Sequence, residues 1–234
     1  MTTDPKPTVL VTGAGGRIGR TLAKYAKDRF RLRLSDLTTD SMAEVAHCSP
    51  EDPFVLDVRD HAACRAAVKG CDAVVHLAGV IDVSDDAWAN IRETNVDGVF
   101  NVFDACALEG VPRVVYASSA QTIEGYPKDV QLGVREQFRP DNLYGVCKVF
   151  GEATAAYYAH RPAERGGGPS SVCVRIANFR EILEPTTKLN MRDMTAYISK
   201  RDLSEILCRS VEVEGIRFEV VGGVSGNRYK RMRM

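Results

Sequence analysis

The sequence carries no surplus of charge of either sign. Its 31 lysines and arginines are matched by 31 aspartates and glutamates, so no overall field is available to recruit nucleic acid or an anionic membrane. It also lacks any C-x-x-C pair: the seven cysteines (Cys48, Cys64, Cys71, Cys106, Cys147, Cys173 and Cys208) are odd in number and scattered. That pattern reads as small buried hydrophobes in a reducing compartment and argues against a disulfide framework or a zinc site. The four histidines are equally dispersed, and no metal is expected. The opening MTTDPKPTVLVTG has no charged-then-apolar signal pattern, and no apolar run reaches the length of a membrane span. A cytoplasmic chain whose partners come to a local site is the expectation.

What is present is ordinary globular usage, 44% hydrophobic and 26% charged, in a length that suits one α/β domain over residues 1–234. Apolar, β-branched runs read as strands at Thr8–Thr12, Arg31–Ser35, Phe54–Val58, Ala73–Ala78, Arg113–Ser118, Ser171–Ala177 and Phe218–Gly223. Helical patterns lie between them. Such alternation implies a doubly wound parallel sheet of about seven strands with helices on both faces. One long helix is expected over about Asp86 to Glu109, with Asp85 or Asp86 placed to cap it, Gly110 after its end and Pro112 preventing continuation. Trp88, Ile91, Val99, Val102 and Cys106 fall on one face of it, and Asn95 shares that face, where a polar amide needs a partner. A second helix is expected over about Asp141 to His160 and a third over Ser199 to Val211, while RGGGPS (Arg165–Ser170) reads as a surface loop. The closing NRYKRMRM reads as a frayed, solvated tail.

The first strand runs directly into GAGGRIG, with Gly13, Gly16 and Gly19, and then into a helix beginning near Arg17. A glycine turn there lets the backbone approach a pyrophosphate, which sits against the exposed N–H groups of the helix start. Asp36, ending the second strand, is placed to accept from the adenosine ribose hydroxyls and to repel a 2′-phosphate, so NAD is expected over NADP. Arg33 is the residue that could reverse this, although strand alternation directs it elsewhere. Asp57 is expected either to receive the adenine amino group or to act as a plain cap at the strand end.

Tyr144 and Lys148, in NLYGVCK, are four residues apart and share one helical face. In an open parallel sheet ligands lie across the carboxyl ends of the strands, which puts Ser119 of YASSAQT beside the nicotinamide half of a dinucleotide. An adjacent ammonium and a positive nicotinamide ring favour the phenolate of a tyrosine. Ser119 can then hold a substrate oxygen, Tyr144 can take its proton, and Asn95 can bond a backbone carbonyl or a water that relays protons to Lys148. Bracing of its helix is the alternative for Asn95.

Together these segments resemble the short-chain dehydrogenase/reductase superfamily, in its extended, epimerase/dehydratase-like branch. TGAGGRIG matches the glycine motif of that branch, HLAG (His76–Gly79) its fourth-strand motif, and YASSA with Tyr144 and Lys148 its active-site segment. The resemblance implies a Rossmann fold, a Ser-Tyr-Lys triad and a homodimer or higher homo-oligomer through the two long helices. It also implies a small C-terminal substrate-binding portion, drawn from residues 178–200 and the C-terminal segment. By the same resemblance Gly13, Gly16, Arg17, Ile18, Gly19, Asp36, Asp57, Val58, Leu77, Ala78 and Gly79 line the cofactor site with Asn95, Tyr144 and Lys148.

Within the branch, SSxxTIxGYP (Ser118–Pro127), LYGVxKxFGE (Leu143–Glu152) and VRI (Val174–Ile176) resemble the bacterial uronate dehydrogenases, which oxidise the anomeric carbon of hexuronic acids with NAD. This implies Ser119, Ala120, Gln121 and Arg175 at a small sugar substrate, with Arg175 on the sugar carboxylate. The alternative for Arg175 is a salt bridge to an acid such as Glu181. Those enzymes have Asn-His where this chain has Ala120 and Gln121, so two substrate contacts differ. About sixty residues follow Arg175, too few for the usual nucleotide-sugar domain and short even for a uronate dehydrogenase, as if a last helix were missing. Two other readings stay open: a sugar-nucleotide epimerase or dehydratase that regenerates bound NAD in each turnover, and a non-catalytic NAD(P)-sensing or scaffold protein on the same fold.

Overall fold

The alternating patterns resolve into a parallel sheet in a computed structural model that describes residues 6–179, 195–227 and 231–232. In chain order the elements are β1 (Thr8–Thr12), α1 (Arg17–Ala26), β2 (Arg31–Asp36), a 3₁₀ segment (Asp40–Cys48), β3 (Phe54–Val55), α2 (His61–Val68) and β4 (Ala73–His76). There follow α3 (Trp88–Arg92), a π turn (Glu93–Asp97), α4 (Gly98–Leu108), β5 (Arg113–Ser119), a 3₁₀ turn (Ala120–Ile123), α5 (Leu143–Ala159) and a 3₁₀ turn (Ala163–Arg165). The described chain then forms β6 (Ser170–Ile176), β7 (Asn178–Phe179), β8 (Tyr197–Ile198), α6 (Lys200–Glu212) and β9 (Phe218–Gly223).

Seven strands make one sheet in the order β3-β2-β1-β4-β5-β6-β9, every neighbouring pair parallel. The order reverses between β1 and β4, which opens a crevice at their carboxyl ends. Period-two alternation divides the strand side chains between two cores. Val9, Val11, Val75, Val115 and Val174 pack with Leu22 of α1 and Leu203 and Leu207 of α6. Leu10, Val74, Val114 and Cys173 pack on the other face with Ala67 of α2, Val102 and Phe103 of α4 and Ala155 of α5. All seven cysteines are buried and unbonded, as their scatter implies. No helix among the described residues is long and apolar enough to cross a membrane.

Several boundaries differ from expectation, each for a tertiary reason. β3 stops at Val55 because β2, its one neighbour, ends at Asp36; the last bond runs from Leu56 N to Asp36 O at 2.8 Å. Likewise β4 stops at His76, and beyond it Ala78 N bonds the Thr12 hydroxyl at 3.3 Å as the chain bends over the crevice. The expected helix over 86–109 forms, interrupted by the π turn around Asn95. Asp85 and Asp86 do not cap it. Its N-cap is Ala87 with no side-chain bond, and Asp82 instead accepts from Ser84 N at 3.0 Å and Asn90 Nδ2 at 3.0 Å. Trp88 leaves the apolar stripe and is 45% exposed. The tail is not wholly frayed: Arg231 is buried and donates to Pro127 O and Tyr126 O, while Leu132 N bonds Arg231 O at 2.6 Å. Most of residues 178–200 lie outside the described residues.

Candidate active site

The crevice begins at the glycine turn. Gly13 has φ +69°, open to glycine, and a Cβ there would lie 2.7 Å from Ala78 N. A Cβ on Gly19 would collide with Gly13 O and the Ala14 backbone. The N-cap of α1 is Gly16, which offers no side-chain bond, so the first N–H groups of the helix remain available to an anion. This cradle, which side chains would fill, fits a dinucleotide pyrophosphate. Asp36 is fixed beside it, accepting from Gly15 N at 2.8 Å and Leu37 N at 2.7 Å. Arg33 points away: it bonds Ala67 O at 2.9 Å and stacks on Phe54, and so offers nothing to a 2′-phosphate.

Two adjoining pockets lie along the carboxyl edge. One of about 210 Å³ is lined by Asp36, Leu56, Asp57, Val58, Leu77, Ala78, Gly79 and Thr94. The other, about 310 Å³, is lined by Arg17, Ile18, Gly19, Ser119, Gln121, Tyr144, Lys148 and Phe179, and both share Gly13, Gly16, Leu77 and Gly79. Asp57 lines the first pocket but is held by Arg59, whose Nε and Nη2 bond its two oxygens at 2.9 and 2.6 Å; this ion pair also lowers its pKa. Of the two expectations for Asp57, the local cap is formed, through Arg59 N to Asp57 Oδ1 at 3.0 Å.

Ser119 ends β5, and its hydroxyl caps the turn that follows by accepting from Gln121 N at 3.2 Å. Asn142 caps α5 through Gly145 N at 2.8 Å, which starts the helix so that Tyr144 and Lys148 fall in its first turns and point to the crevice. Lys148 is buried and donates to Ala117 O at 2.8 Å. Burial lowers its ammonium to about 8. In the cofactor-free chain burial pushes the Tyr144 phenol up to about 12, opposed by a side-chain hydrogen bond with Ser119. Asn95 is satisfied by one residue, accepting from Val80 N and donating to Val80 O, both at 2.8 Å. It therefore bonds a backbone carbonyl, and what it braces is the strand-end loop that roofs the crevice.

Arg175 is not among the residues lining either pocket. It is 2% exposed, with Nε and Nη2 bonded to Glu152 at 2.8 and 2.9 Å. The salt-bridge reading is the one formed, with Glu152 as partner; Glu181 lies outside the described residues. Ser118 donates to the same carboxylate at 2.5 Å. Glu152 stood in the LYGVxKxFGE segment, but a partner 23 residues away leaves no local signal. Gln121 keeps its place in the crevice, and its Oε1 accepts from Asn142 Nδ2 at 2.7 Å. Ala120 is buried behind it, against Val224 and Met232. Thr12, Thr94 and Val80 join the site without having been singled out in the sequence.

A model of the NAD dependent epimerase/dehydratase family matches residues 9–180. The chain is 34% identical over 229 residues to the uronate dehydrogenase of Pseudomonas putida, covering 97% of this chain and 80% of that protein. It is 32% identical over 237 residues to the NAD-dependent glucose-6-phosphate dehydrogenase of Haloferax volcanii, covering 95% and 86%. Among solved structures, a mutant uronate dehydrogenase from Agrobacterium tumefaciens complexed with NAD superposes with a TM-score of 0.80 at 30% identity, over 97% of this chain and 80% of that one.

Proposed function

This chain belongs to the NAD-dependent epimerase/dehydratase family, in the extended short-chain dehydrogenase/reductase branch, and from that premise we propose that it oxidises the anomeric carbon of a small sugar or sugar acid with NAD. The observation that carries the reading is the meeting of Ser119, Tyr144 and Lys148 in one pocket that continues into the glycine turn. Bound there, NAD would accept the hydride. Ser119 holds the substrate hydroxyl through its oxygen. Tyr144 takes the proton from that hydroxyl, and its high value in the free chain means that substrate and cofactor must complete its activation. Lys148 has donors left beyond Ala117 O for the ribose hydroxyls and keeps a positive charge beside the phenolate.

Asp36, with Arg33 turned away, supports NAD over NADP. Gln121 is the specificity residue of this reading: with Oε1 given to Asn142, its amide nitrogen is the group available to a substrate oxygen. Exposed Phe100 on α4, with Val146 and Tyr157 on α5, supports association through the long helices. The test is an NADH absorbance screen of the purified protein against uronic acids, aldoses and sugar nucleotides, with Tyr144→Phe as control. NADH from a free sugar, lost in Tyr144→Phe, is expected. No NADH from any free sugar, with cofactor retained through purification, would favour an epimerase instead.

A further inference from the structure

Lys148 is a buried cation with no carboxylate beside it. Its ammonium donates to Ala117 O at 2.8 Å, and no acid is paired with it among the described residues. Glu152 lies one helical turn further along α5, where it could pair with Lys148, but it is turned into Arg175 and Ser118. The groups that face the ammonium are Tyr144 and Cys147 of α5, Tyr116 of β5 and His76 of β4; Asn95 of the π turn is uncharged and occupied by Val80. None of these supplies a negative charge at neutral pH. Burial pushes Cys147, Tyr116 and Tyr144 up and holds His76 neutral, down at about 3.

What meets the charge is two ring faces. The ammonium lies 5.0 Å from the centroid of Tyr116 and 5.4 Å from that of Tyr144, within the range at which an aromatic quadrupole holds a cation, and the contact is stronger where water is excluded. Tyr116 is fully buried, and its hydroxyl has no hydrogen-bond partner among the described residues, so the residue contributes its ring. That ring is fixed by the edge contact with Phe103 at 6.2 Å, by His76 at 5.9 Å, and by Gly151, whose missing side chain leaves room for the hydroxyl.

We propose that Tyr116 is a positioning residue for Lys148: the face of its ring, beneath the site, balances an ammonium that has no carboxylate beside it among the described residues. This rests on Lys148 serving the site as read above, but the test needs no turnover. In the cofactor-free full chain carrying carbon-13-labelled lysine, the Lys148 Cε resonance is followed against pH and assigned by its loss in Lys148→Arg. Tyr116 is replaced by phenylalanine and, through stop-codon suppression, by phenylalanines of increasing fluorination, which nearly keep the ring's shape while draining its face of negative charge. Tyr116→Phe is expected to titrate with the wild type. Fluorination is expected to move the midpoint down stepwise, by roughly one pH unit across the series. A midpoint indifferent to fluorination, or one displaced as far by Tyr116→Phe alone, would overturn the proposal. A protein that reduces no NAD with any sugar still gives this titration, so the two readings fail separately.

Discussion

Replacing Arg175 by methionine separates a structural ion pair from a substrate ligand. The guanidinium and the Glu152 carboxylate are 2% and 1% exposed, and Arg175 also donates to Val134 O at 3.2 Å and stacks on Phe138 at 5.4 Å. With the guanidinium gone, Glu152 keeps only the Ser118 hydroxyl as a donor among the described residues. An uncompensated buried charge of this kind costs about 3–5 kcal/mol. In a chain of this size each kcal/mol moves Tm by roughly 2–4 °C, so Tm should fall by roughly 10 °C. Removing both charges, in Arg175→Met with Glu152→Leu, should recover most of the loss. Thermal and urea melts of the wild type, the two single variants and the double variant measure the coupling. If Arg175→Met instead melts within about 1 kcal/mol of wild type but loses affinity for an acidic sugar, the guanidinium is a substrate group and the reasoning is refuted.

Lys148, lowered to about 8 by burial, binds fewer protons in the folded than in the unfolded state between that pH and the ordinary lysine range, so stability should rise with pH across the window. Lys148→Met should abolish that rise and stabilise the cofactor-free protein by about 3 kcal/mol at neutral pH, as melts at neutral and alkaline pH would register. Asp36→Asn keeps an acceptor for Gly15 N while removing the charge, and should raise the NADP-to-NAD preference by about tenfold or more in a cofactor titration. Asn95→Leu loses both bonds to Val80 and should cost about 2 kcal/mol in urea melts while weakening NAD binding measured by calorimetry.

The sheet, the glycine turn and the Ser119, Tyr144 and Lys148 set were legible because their signals are local: alternation in the strands, glycine spacing before α1, a four-residue step on α5. Gly110 as a stop is equally local. What the chain did not disclose depends on partners distant in sequence. Arg175 meets Glu152 across the gap between β6 and α5, and the π turn forms where Asn95 reaches the Val80 backbone. Arg231 grips the carbonyls of 126–127 although it reads in isolation as one more charge in a basic tail. The Tyr144 phenol shows the same limit: the neighbouring lysine is visible in the sequence, whereas the depth of burial that raises the phenol is not.

The most direct test of the oxidation mechanism is hydride tracing with a hexuronic acid deuterated at its anomeric carbon. Transfer at the Ser119, Tyr144 and Lys148 site predicts a primary isotope effect on kcat/KM, deuterium in the released reduced cofactor, and loss of both with Tyr144→Phe. Label that returns to the sugar, or never leaves it while NADH fails to accumulate, would contradict the account.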